Sequence, residues 1–282
     1  MQKNIPSAPD LAAQIRRDII RMVTRAKSGH PGGSLSSTDF MSVLYTEYLD
    51  QSPDTWTRNG KGIDLFFLSI GHVAPLLYSL LARLGYFPVA ELGTLRKLGT
   101  RLQGHPCVEC GLPGIHVASG SLGQGLSVAC GAALAKRMDG DSHKVYVLVG
   151  DGESEEGQIW EAALFAGHHH LDNVIAMTDW NHQQIDGQVD QIGGIGDLRA
   201  KWESFGWWVI ECDGHDYQAI RHAFAEALEP SPSHKPVMIL MHTNMGQGVD
   251  FMCGTHKWHG KAPSEEQCAQ ALAQLPETLG DF

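Results

Sequence analysis

Five short apolar runs, separated by segments of helical length, limit the possible folds of this chain more than any other feature. Each run has the length of a buried strand. The runs cover residues 64–69, 145–149, 174–178, 207–210 and 237–242. Because parallel strands of one sheet are joined by helical crossovers, the pattern predicts an α/β fold. We expect a doubly wound, mainly parallel sheet with helices on both faces.

Both ends of the chain are predicted to be helical. Near the N-terminus, apolar residues recur at helical spacing up to Arg25, and Asp10 is expected to cap this helix. Near the C-terminus, residues 264–267 form a capping-box pattern at the start of a helix at about 264–276. No repeat or linker forces a boundary between the two ends. We therefore expect a single domain over residues 1–282.

The charge of the chain argues against nucleic-acid and membrane partners. Lys and Arg number 21 against 32 Asp and Glu, so the formal net charge is −11 and phosphate backbones would be repelled. The longest uncharged stretch, 110–135, is rich in Gly and Ser and contains Pro and His, which is not the composition of a membrane span. No export signal is recognisable at the N-terminus, so we expect a cytoplasmic protein.

The six cysteines are too sparse for a disulfide scaffold and suit a reducing compartment. The close pair among them is Cys107 and Cys110. With His105 and His116 nearby, this pair could bind zinc, although no second pair of this kind completes the usual pattern. Two free thiols are the simpler interpretation, and the sequence leaves both open.

A Gly-Asp-Gly turn follows the second apolar run. Ligands of an open parallel sheet bind beyond the carboxyl ends of its strands, and Gly150, Asp151 and Gly152 stand at such a place. The glycines let the backbone approach an anion, and Asp151 could hold a cation there. On its own, however, this tripeptide is equally typical of an ordinary turn.

Asn181 strengthens the interpretation, because it stands at the end of the next predicted strand. One strand-helix-strand unit separates it from Asp151 and returns the chain to the same edge of the sheet. Side-chain oxygens of these two residues, together with the carbonyl of Gln183, could bind Mg²⁺, or alternatively Ca²⁺ or Mn²⁺, with diphosphate oxygens and water as the remaining ligands. The sequence therefore predicts a metal and diphosphate site at this edge.

Further motifs resemble those of transketolases, in the same order along the chain. The spacing from Asp151 to Asn181 resembles the thiamine-diphosphate signature, and the other motifs narrow the resemblance to this family. They are Ser28-Gly-His-Pro-Gly-Gly33, Ile70-Gly-His72, Gly104-His-Pro106, Ser119-Gly-Ser-Leu-Gly-Gln-Gly125 and Gly254-Thr-His-Lys-Trp-His-Gly260. The resemblance extends from about Asp10 to Ala262. It implies the thiamine-diphosphate-binding fold, thiamine diphosphate as cofactor, and transfer of a two-carbon ketol unit from a ketose to an aldose.

The resemblance assigns roles to four of the 15 histidines. It implies that His30 and His259 contact the carbonyl-side oxygens of the donor, that His105 contacts its first hydroxyl, and that His72 reaches the cofactor's diphosphate. Imidazoles can donate and accept the protons that such chemistry moves. For any one histidine, a surface or hydrogen-bonded core role is the commoner explanation. The placement of these four beside Gly or Pro in loops favours a cleft.

Further contacts to the cofactor are implied in the same way. Gly120 and Leu122 would touch the diphosphate and the aminopyrimidine ring through their backbone. Glu156 matches the glutamate that, in the family, faces the cofactor-activating glutamate of the other subunit. The alternative for Glu156 is a solvated acid that is stabilised by a helix dipole. Glu153 and Glu155 fit that alternative better.

The resemblance also implies a partner. Transketolases continue after this region with a pyrimidine-binding domain and a third domain, whose motifs do not occur here. We therefore expect a separately encoded C-terminal subunit, a two-plus-two heterotetramer, sugar or sugar-phosphate substrates, and no turnover by this chain alone. Two alternatives are a non-catalytic thiamine-diphosphate-binding module and half of an enzyme like deoxyxylulose-phosphate synthase. The four histidines in transketolase-like contexts argue against the second.

Overall fold

A parallel sheet of five strands forms the centre of the protein in a computed structural model, which describes residues 5–282. The strands are β1 (Leu65–Leu68), β2 (Val145–Gly150), β3 (Val174–Trp180), β4 (Gln183–Gln184), β5 (Gly187–Gln188), β6 (Trp208–Asp213) and β7 (Val237–His242). Strands β4 and β5 form a separate antiparallel hairpin, and the other five form the sheet. Each predicted apolar run lies on one of these five, so the predicted parallel sheet is confirmed.

The strand order in the sheet is β1-β2-β3-β7-β6. The chain leaves β3 for the edge strand β6 and returns to form β7 between them, so the direction of the crossovers reverses. Strand β6 continues beyond the predicted run because its polar residues, up to Asp213, pair with β7. Between β2 and β3, Gly150 pairs with Asp179. The residues that follow these two strands therefore lie side by side at one edge of the sheet.

Helices cover both faces of the sheet. They are α1 (Ala8–Ala26), α2 (Pro31–Ser36), α3 (Thr38–Val43), α4 (Ala74–Arg83), α5 (Gly125–Met138), α6 (Gly157–His168), α7 (Val189–Ile192), α8 (Leu198–Ser204), α9 (Tyr217–Leu228) and α10 (Glu265–Gln274). One hydrophobic cluster joins Phe66 and Leu68 to α1, α3, α4 and α9, and a second joins Leu65 and Phe67 to α5, α6 and α8. Since successive strand side chains point to opposite faces, the sheet is buried on both sides. The predicted doubly wound arrangement is confirmed.

Helix α1 begins earlier than predicted. Ser7, not Asp10, is its N-cap, and the Ser7 Oγ accepts a hydrogen bond from the backbone N–H of Asp10 at 3.3 Å. Pro9 fits the first turn because that turn leaves its backbone donors unpaired in any case. Asp10 lies inside the helix, where its charge faces the positive end of the helix dipole. Neither α1, with 19 residues, nor any other helix within residues 5–282 is long and apolar enough to cross a membrane.

Helix α10 has the predicted start. Ser264 and Gln267 form a capping box, in which each side chain accepts from the backbone N–H of the other residue. The helix ends at Gln274, before the predicted limit of 276, because Leu275 precedes a proline and adopts an extended conformation.

Candidate cofactor and active site

A cavity of about 280 Å³ lies at the carboxyl ends of β2 and β3. Its walls come from loops that are far apart in the sequence. They include all of the predicted site residues except Glu156, namely His30, His72, His105, Gly120, Leu122, Asp151, Gly152, Asn181, Gln183 and His259. This edge is where parallel α/β sheets bind their ligands. The structure therefore brings into one concave site the residues that the sequence had grouped.

Asp151 is held at the end of β2 by backbone donors. Its Oδ1 accepts a hydrogen bond from the N–H of Gly152 at 2.8 Å, and its Oδ2 accepts one from the N–H of His182 at 2.5 Å. The residue is only 3% exposed. Burial and, to a smaller degree, the nearby Asp179 carboxylate raise the pKa of Asp151 to about 8. A cation beside these oxygens would stabilise the charged form.

The carboxamide of Asn181 has a fixed orientation after β3. Its Nδ2 donates to Oδ2 of Asp179 at 2.9 Å, and its Oδ1 accepts from the N–H of Gln183 at 2.9 Å. His182 has a φ of +61°, a left-handed conformation that residues with a side chain rarely adopt. This turn directs the His182 N–H at Asp151 and leads the chain into β4, where Gln183 lines the cavity.

The oxygen donors of this edge suit a divalent cation. Asp151, Asn181 and Gln183 offer carboxylate, carboxamide and backbone carbonyl oxygens, which are the hard ligands that Mg²⁺ and Ca²⁺ prefer. Asp179 adds a second buried carboxylate, and neither carboxylate forms an ion pair with a basic side chain in the described part of the chain. Within residues 5–282, no three or more His, Cys, Asp and Glu side chains form a metal cluster. A metal here would therefore depend on amide and carbonyl oxygens.

Four histidine rings face one another across the cavity. The ring centroid of His30 lies 5.1 Å from that of His72, 6.4 Å from that of His105 and 5.6 Å from that of His259. His72 and His259 are 5.0 Å apart. Three different elements supply three of the rings, since His30 precedes α2, His72 lies in a short 3-10 turn after β1, and His259 follows another such turn. All four rings line this one cavity, and their roles toward a substrate or cofactor stay predictions.

Burial keeps these imidazoles neutral. It lowers the pKa of His30 to about 4, with smaller contributions from His259, Arg96 and His105. Burial is also the main cause that lowers the pKa of His72, His105 and His259. The Nδ1 atoms of His30 and His259 are buried and have no hydrogen-bond partner among residues 5–282. Because buried polar atoms normally have a partner, these nitrogens are suited to bind hydroxyl groups of a ligand.

The loop with Gly120 and Leu122 forms another wall. Gly120 has a φ of +141°, and a Cβ at this position would lie 3.1 Å from Cγ of His105. Both the backbone conformation and the space therefore require glycine. The N–H of Ser119 donates to the carbonyl of Pro106 at 3.2 Å, so this loop is tied to the loop that carries His105.

Glu153 is not the solvated acid that the sequence predicted. It is 2% exposed, and its Oε1 accepts hydrogen bonds from the Ser69 hydroxyl at 2.5 Å and the Gly123 N–H at 2.8 Å. Its Oε2 accepts from the N–H of Gly150 at 3.1 Å. The prediction was wrong because the turn after β2 points this side chain into the protein, where it joins three segments of the cavity wall. Glu155 is exposed, as predicted.

Glu156 lies outside the cavity, on the exposed surface where α6 begins. Its Cβ is close to Gly123, since a Cβ built on that glycine would lie 2.9 Å away. Glu156 is thus next to the Gly120 loop and accessible to solvent, which agrees with a role toward another subunit and with a solvated acid alike. Its role stays a prediction.

The sequence neighbours of Cys107 and Cys110 have other partners. Nε2 of His116 lies 3.1 Å from the carbonyl oxygen of Thr57, and His105 lines the cavity. Both cysteines are free thiols and only partly buried. Among the described residues, the pair belongs to no cluster of metal-binding side chains.

Several lining residues of the cavity were not among the predicted site residues, for example Asp179, Ile185 and Met245. Asp179 carried a signal, because a carboxylate at the end of a buried strand needs partners. Ile185 and Met245 are apolar loop residues with no distinctive motif. Only the tertiary structure brings them to the cavity.

Comparison with known proteins decides the family. Residues 8–277 match the family described as transketolase, thiamine diphosphate binding domain. This chain belongs to the transketolase family. It is 41% identical over 263 residues to the 6-deoxy-6-sulfo-D-fructose transketolase subunit SqwG of Clostridium sp. (strain MSTE9), covering 93% of each chain. It is 37% identical over 264 residues to one subunit of the apulose-4-phosphate transketolase of Phocaeicola vulgatus, covering 94% of this chain and 92% of that one.

Full-length transketolases are similar over only part of their length. Human transketolase is 36% identical over 278 residues, covering 97% of this chain and 43% of the human one. The solved transketolase of Leishmania mexicana superposes with a TM-score of 0.87 at 33% identity, covering 96% of this chain and 41% of that one. The chain thus spans less than half of these proteins but nearly all of the two named subunits. The predicted family, fold and function as a thiamine-diphosphate-dependent transketolase subunit are confirmed.

Proposed function

We propose that this chain holds thiamine diphosphate through a divalent metal and transfers ketol units together with a separate subunit. The observation that carries the proposal is the convergence of Asp151 and Asn181 on a cavity that four histidines also line. Family membership supports the cofactor. The hard oxygen donors support Mg²⁺ as the metal, with Ca²⁺ or Mn²⁺ as alternatives.

The proposed metal ligands are the side-chain oxygens of Asp151 and Asn181 and the carbonyl of Gln183. A divalent cation among them would offset the buried negative charge at this edge and allow a diphosphate to bind there. The raised pKa of Asp151 supports a metal. No basic side chain among the described residues forms an ion pair with this carboxylate, so a bound cation is needed to stabilise its charged form.

The glycine-rich backbone around the cavity is proposed to hold the diphosphate itself. Gly152 follows the metal ligand directly, and Gly120 and Leu122 line the facing loop. The absence of side-chain bulk at the glycines lets phosphate oxygens reach backbone N–H groups. His72, with its lowered pKa, is proposed to donate one hydrogen bond as a neutral imidazole.

Thiamine diphosphate, when bound, supplies a carbon nucleophile that also accepts electrons. The part of this chain is to orient the sugar and to hold or move protons at its oxygens. We propose that His30 and His259 bind the oxygens on the carbonyl side of the donor and that His105 binds its first hydroxyl. Their neutral state supports this, because a neutral imidazole has one donor and one acceptor nitrogen.

A separate subunit is proposed to complete the site. The two relatives of similar length are named as subunits of transketolases, which supports a partner with the pyrimidine domain and the third domain. Glu156 is exposed beside the cavity loop, and we propose that it faces this partner in a two-plus-two heterotetramer. The names of the two relatives specify a sulfonated sugar and a sugar phosphate, which supports a sugar or sugar phosphate as the substrate here.

We also propose that residues 1–282 form one domain, which is supported by the packing of both hydrophobic clusters on the same sheet. We further propose a cytoplasmic location, which is supported by six cysteines that are all free thiols, as in reducing compartments.

Ketol transfer with a partner tests the proposal. The chain is mixed with a candidate C-terminal subunit, such as the product of an adjoining gene, together with thiamine diphosphate, Mg²⁺, a ketose phosphate and an aldose phosphate. We expect new sugar phosphates, detected by mass spectrometry, only when both subunits are present. Cofactor binding without transfer for any sugar pair would favour a non-catalytic module. Condensation of pyruvate instead would indicate an enzyme like deoxyxylulose-phosphate synthase.

A further inference from the structure

Asp179 is a buried carboxylate of the cavity that the contacts proposed above leave unexplained. It is 1% exposed and accepts hydrogen bonds from three side chains. Its Oδ2 accepts from the Ser36 hydroxyl at 2.6 Å and from Nδ2 of Asn181 at 2.9 Å, and its Oδ1 accepts from the Thr243 hydroxyl. The donors belong to α2, to the segment after β3 and to the segment after β7. Asp179 therefore joins three segments around the cavity.

The three donors are all neutral. No Lys, Arg or His side chain within residues 5–282 forms an ion pair with Asp179. The Asp179 carboxylate is in direct contact with the proposed metal ligand Asn181. Its backbone carbonyl also accepts from the N–H of Asp151 at 3.3 Å. A buried charge without a cationic partner is costly to the protein. Two adjacent buried carboxylates together match the charge of one divalent cation.

The hydrogen bond between Asp179 and Asn181 fixes the orientation of the Asn181 carboxamide. A carboxylate can only accept, so the amide nitrogen must lie toward Asp179 and the oxygen must lie on the other side. The N–H of Gln183 fixes the same orientation from the opposite direction, since it donates to Oδ1 of Asn181 at 2.9 Å. If the carboxamide rotated by half a turn, two N–H groups would stand where a metal requires an oxygen.

We propose that Asp179 is a positioning residue for the metal: it holds the Asn181 oxygen in the ligating orientation and adds the second negative charge at the site. This inference rests on the proposed function. Residues that orient metal ligands in this way usually change metal affinity by about 10- to 100-fold when they are replaced.

The test is calorimetry with thiamine diphosphate as the titrant, in the presence of Mg²⁺ and the candidate partner subunit, on the full chain and its Asp179→Asn variant. The amide keeps the shape of the side chain but removes the charge and can donate a hydrogen bond toward Asn181. We expect binding that is about 10- to 100-fold weaker. Thermal melting of the metal-free variant should be at or above the wild-type temperature, because an unpaired buried charge has been removed. A merely structural role predicts the reverse, a lower melting temperature with unchanged affinity.

Ser36→Ala is the matched control. It removes one donor to Asp179 but leaves the contact with Asn181, so we expect cofactor binding like that of the wild type. A loss as large as that of Asp179→Asn would attribute the effect to general packing and overturn the inference.

A double-mutant cycle tests the orienting hydrogen bond itself. Asp179→Asn combined with Asn181→Asp restores a donor and an acceptor in exchanged positions. We expect the double variant to bind more tightly than the product of the two single effects, because residues in direct contact are energetically coupled. Effects that simply multiply would contradict an orienting role.

The measurements on the wild type and on Asp179→Asn distinguish an error in the metal site from an error in the role of Asp179. If the wild-type chain shows no Mg²⁺-dependent binding of thiamine diphosphate even with the candidate partner subunit present, the proposed metal site is wrong. If the wild type binds and Asp179→Asn binds equally well, only the role of Asp179 is wrong.

Discussion

Oε1 of Glu153 accepts a hydrogen bond from the N–H of Gly123 at 2.8 Å, and this contact connects the turn after β2 to the loop before α5. The same carboxylate accepts from the Gly150 N–H and from the Ser69 hydroxyl. The turn that carries the proposed metal ligand Asp151 and the proposed diphosphate loop therefore share one buried acid. Their relative position depends on its acceptor oxygens.

Replacing this acid should affect both stability and cofactor binding. In Glu153→Gln, an amide nitrogen would face at least one N–H donor, and leaving a buried donor unpaired costs about 1–3 kcal/mol. We predict that the free energy of unfolding, measured by denaturant titration, falls by this amount and that cofactor binding weakens. Glu155→Gln, on the exposed side of the same turn, should change the free energy of unfolding by less than about 0.5 kcal/mol. Equal stability of the two variants would contradict a supporting role for Glu153.

Gly120→Ala should destabilise the loop that faces the metal site. A side chain at a φ of +141° is strained, and its Cβ would press on the ring of His105. Strained conformations of this kind cost about 1–3 kcal/mol, so we predict that much loss in the free energy of unfolding. Gly131→Ala is the control, because Gly131 lies in α5 with open space around it and should gain about 0.5–1 kcal/mol. A loss in both variants would mean that Gly120 has no special conformational role.

His259→Ala should separate catalysis from cofactor binding. Its ring lies among the four cavity histidines, whereas the proposed metal ligands belong to other loops. With the partner present, we predict turnover that is slower by about 10²-fold or more, and an unchanged Kd for thiamine diphosphate by calorimetry. His222→Ala, on the exposed side of α9, should leave both quantities unchanged. If cofactor binding collapsed in His259→Ala, the residue would belong to the cofactor contacts.

The buried histidines predict how stability depends on pH. His30 has a pKa of about 4 in the folded protein against an ordinary value of 6.5, so between these values the unfolded chain binds more protons. The contribution of His30 to the free energy of unfolding of the cofactor-free protein should therefore fall as pH drops from about 6.5 to about 4, whereas Asp151, with its raised pKa, contributes in the opposite direction. Because the ring is partly exposed, we assign to His30 only about 1–2 kcal/mol of change in the free energy of unfolding over this pH range. In His30→Asn this contribution should be absent, so the free energy of unfolding, obtained from melts at several pH values, should depend on pH differently from that of the wild type. The same pH dependence in both proteins would show that His30 is not responsible.

Sequence patterns predicted the parts of the protein that depend on local order and on topology. The apolar runs predicted the sheet, and the rule that parallel strands end at one edge predicted that Asp151 and Asn181 would meet. The resemblance to transketolases added the four histidines, which no spacing rule could have brought together.

The remaining features depend on tertiary contacts that local patterns do not encode. The burial of Glu153 follows from the direction of one turn, while its sequence is that of an ordinary helix start. The left-handed conformation of His182 has no sequence signal, because such a residue is usually Gly or Asn. Met245 reaches the cavity through the loop after β7, and nothing in its neighbours indicates this.

The most direct test of the proposed cofactor site is calorimetric titration of thiamine diphosphate into the candidate partner subunit mixed with the wild-type chain or with Asp151→Ala, each with Mg²⁺ and with a chelator. Removing this carboxylate leaves the metal and the diphosphate without their main charged ligand. Melting curves check that the fold persists, because the variant leaves the N–H groups of Gly152 and His182 without this acceptor. We predict Mg²⁺-dependent binding by the wild type and none by the variant. Mg²⁺-dependent binding of wild-type strength in Asp151→Ala would contradict the assignment of this cavity as the metal and diphosphate site.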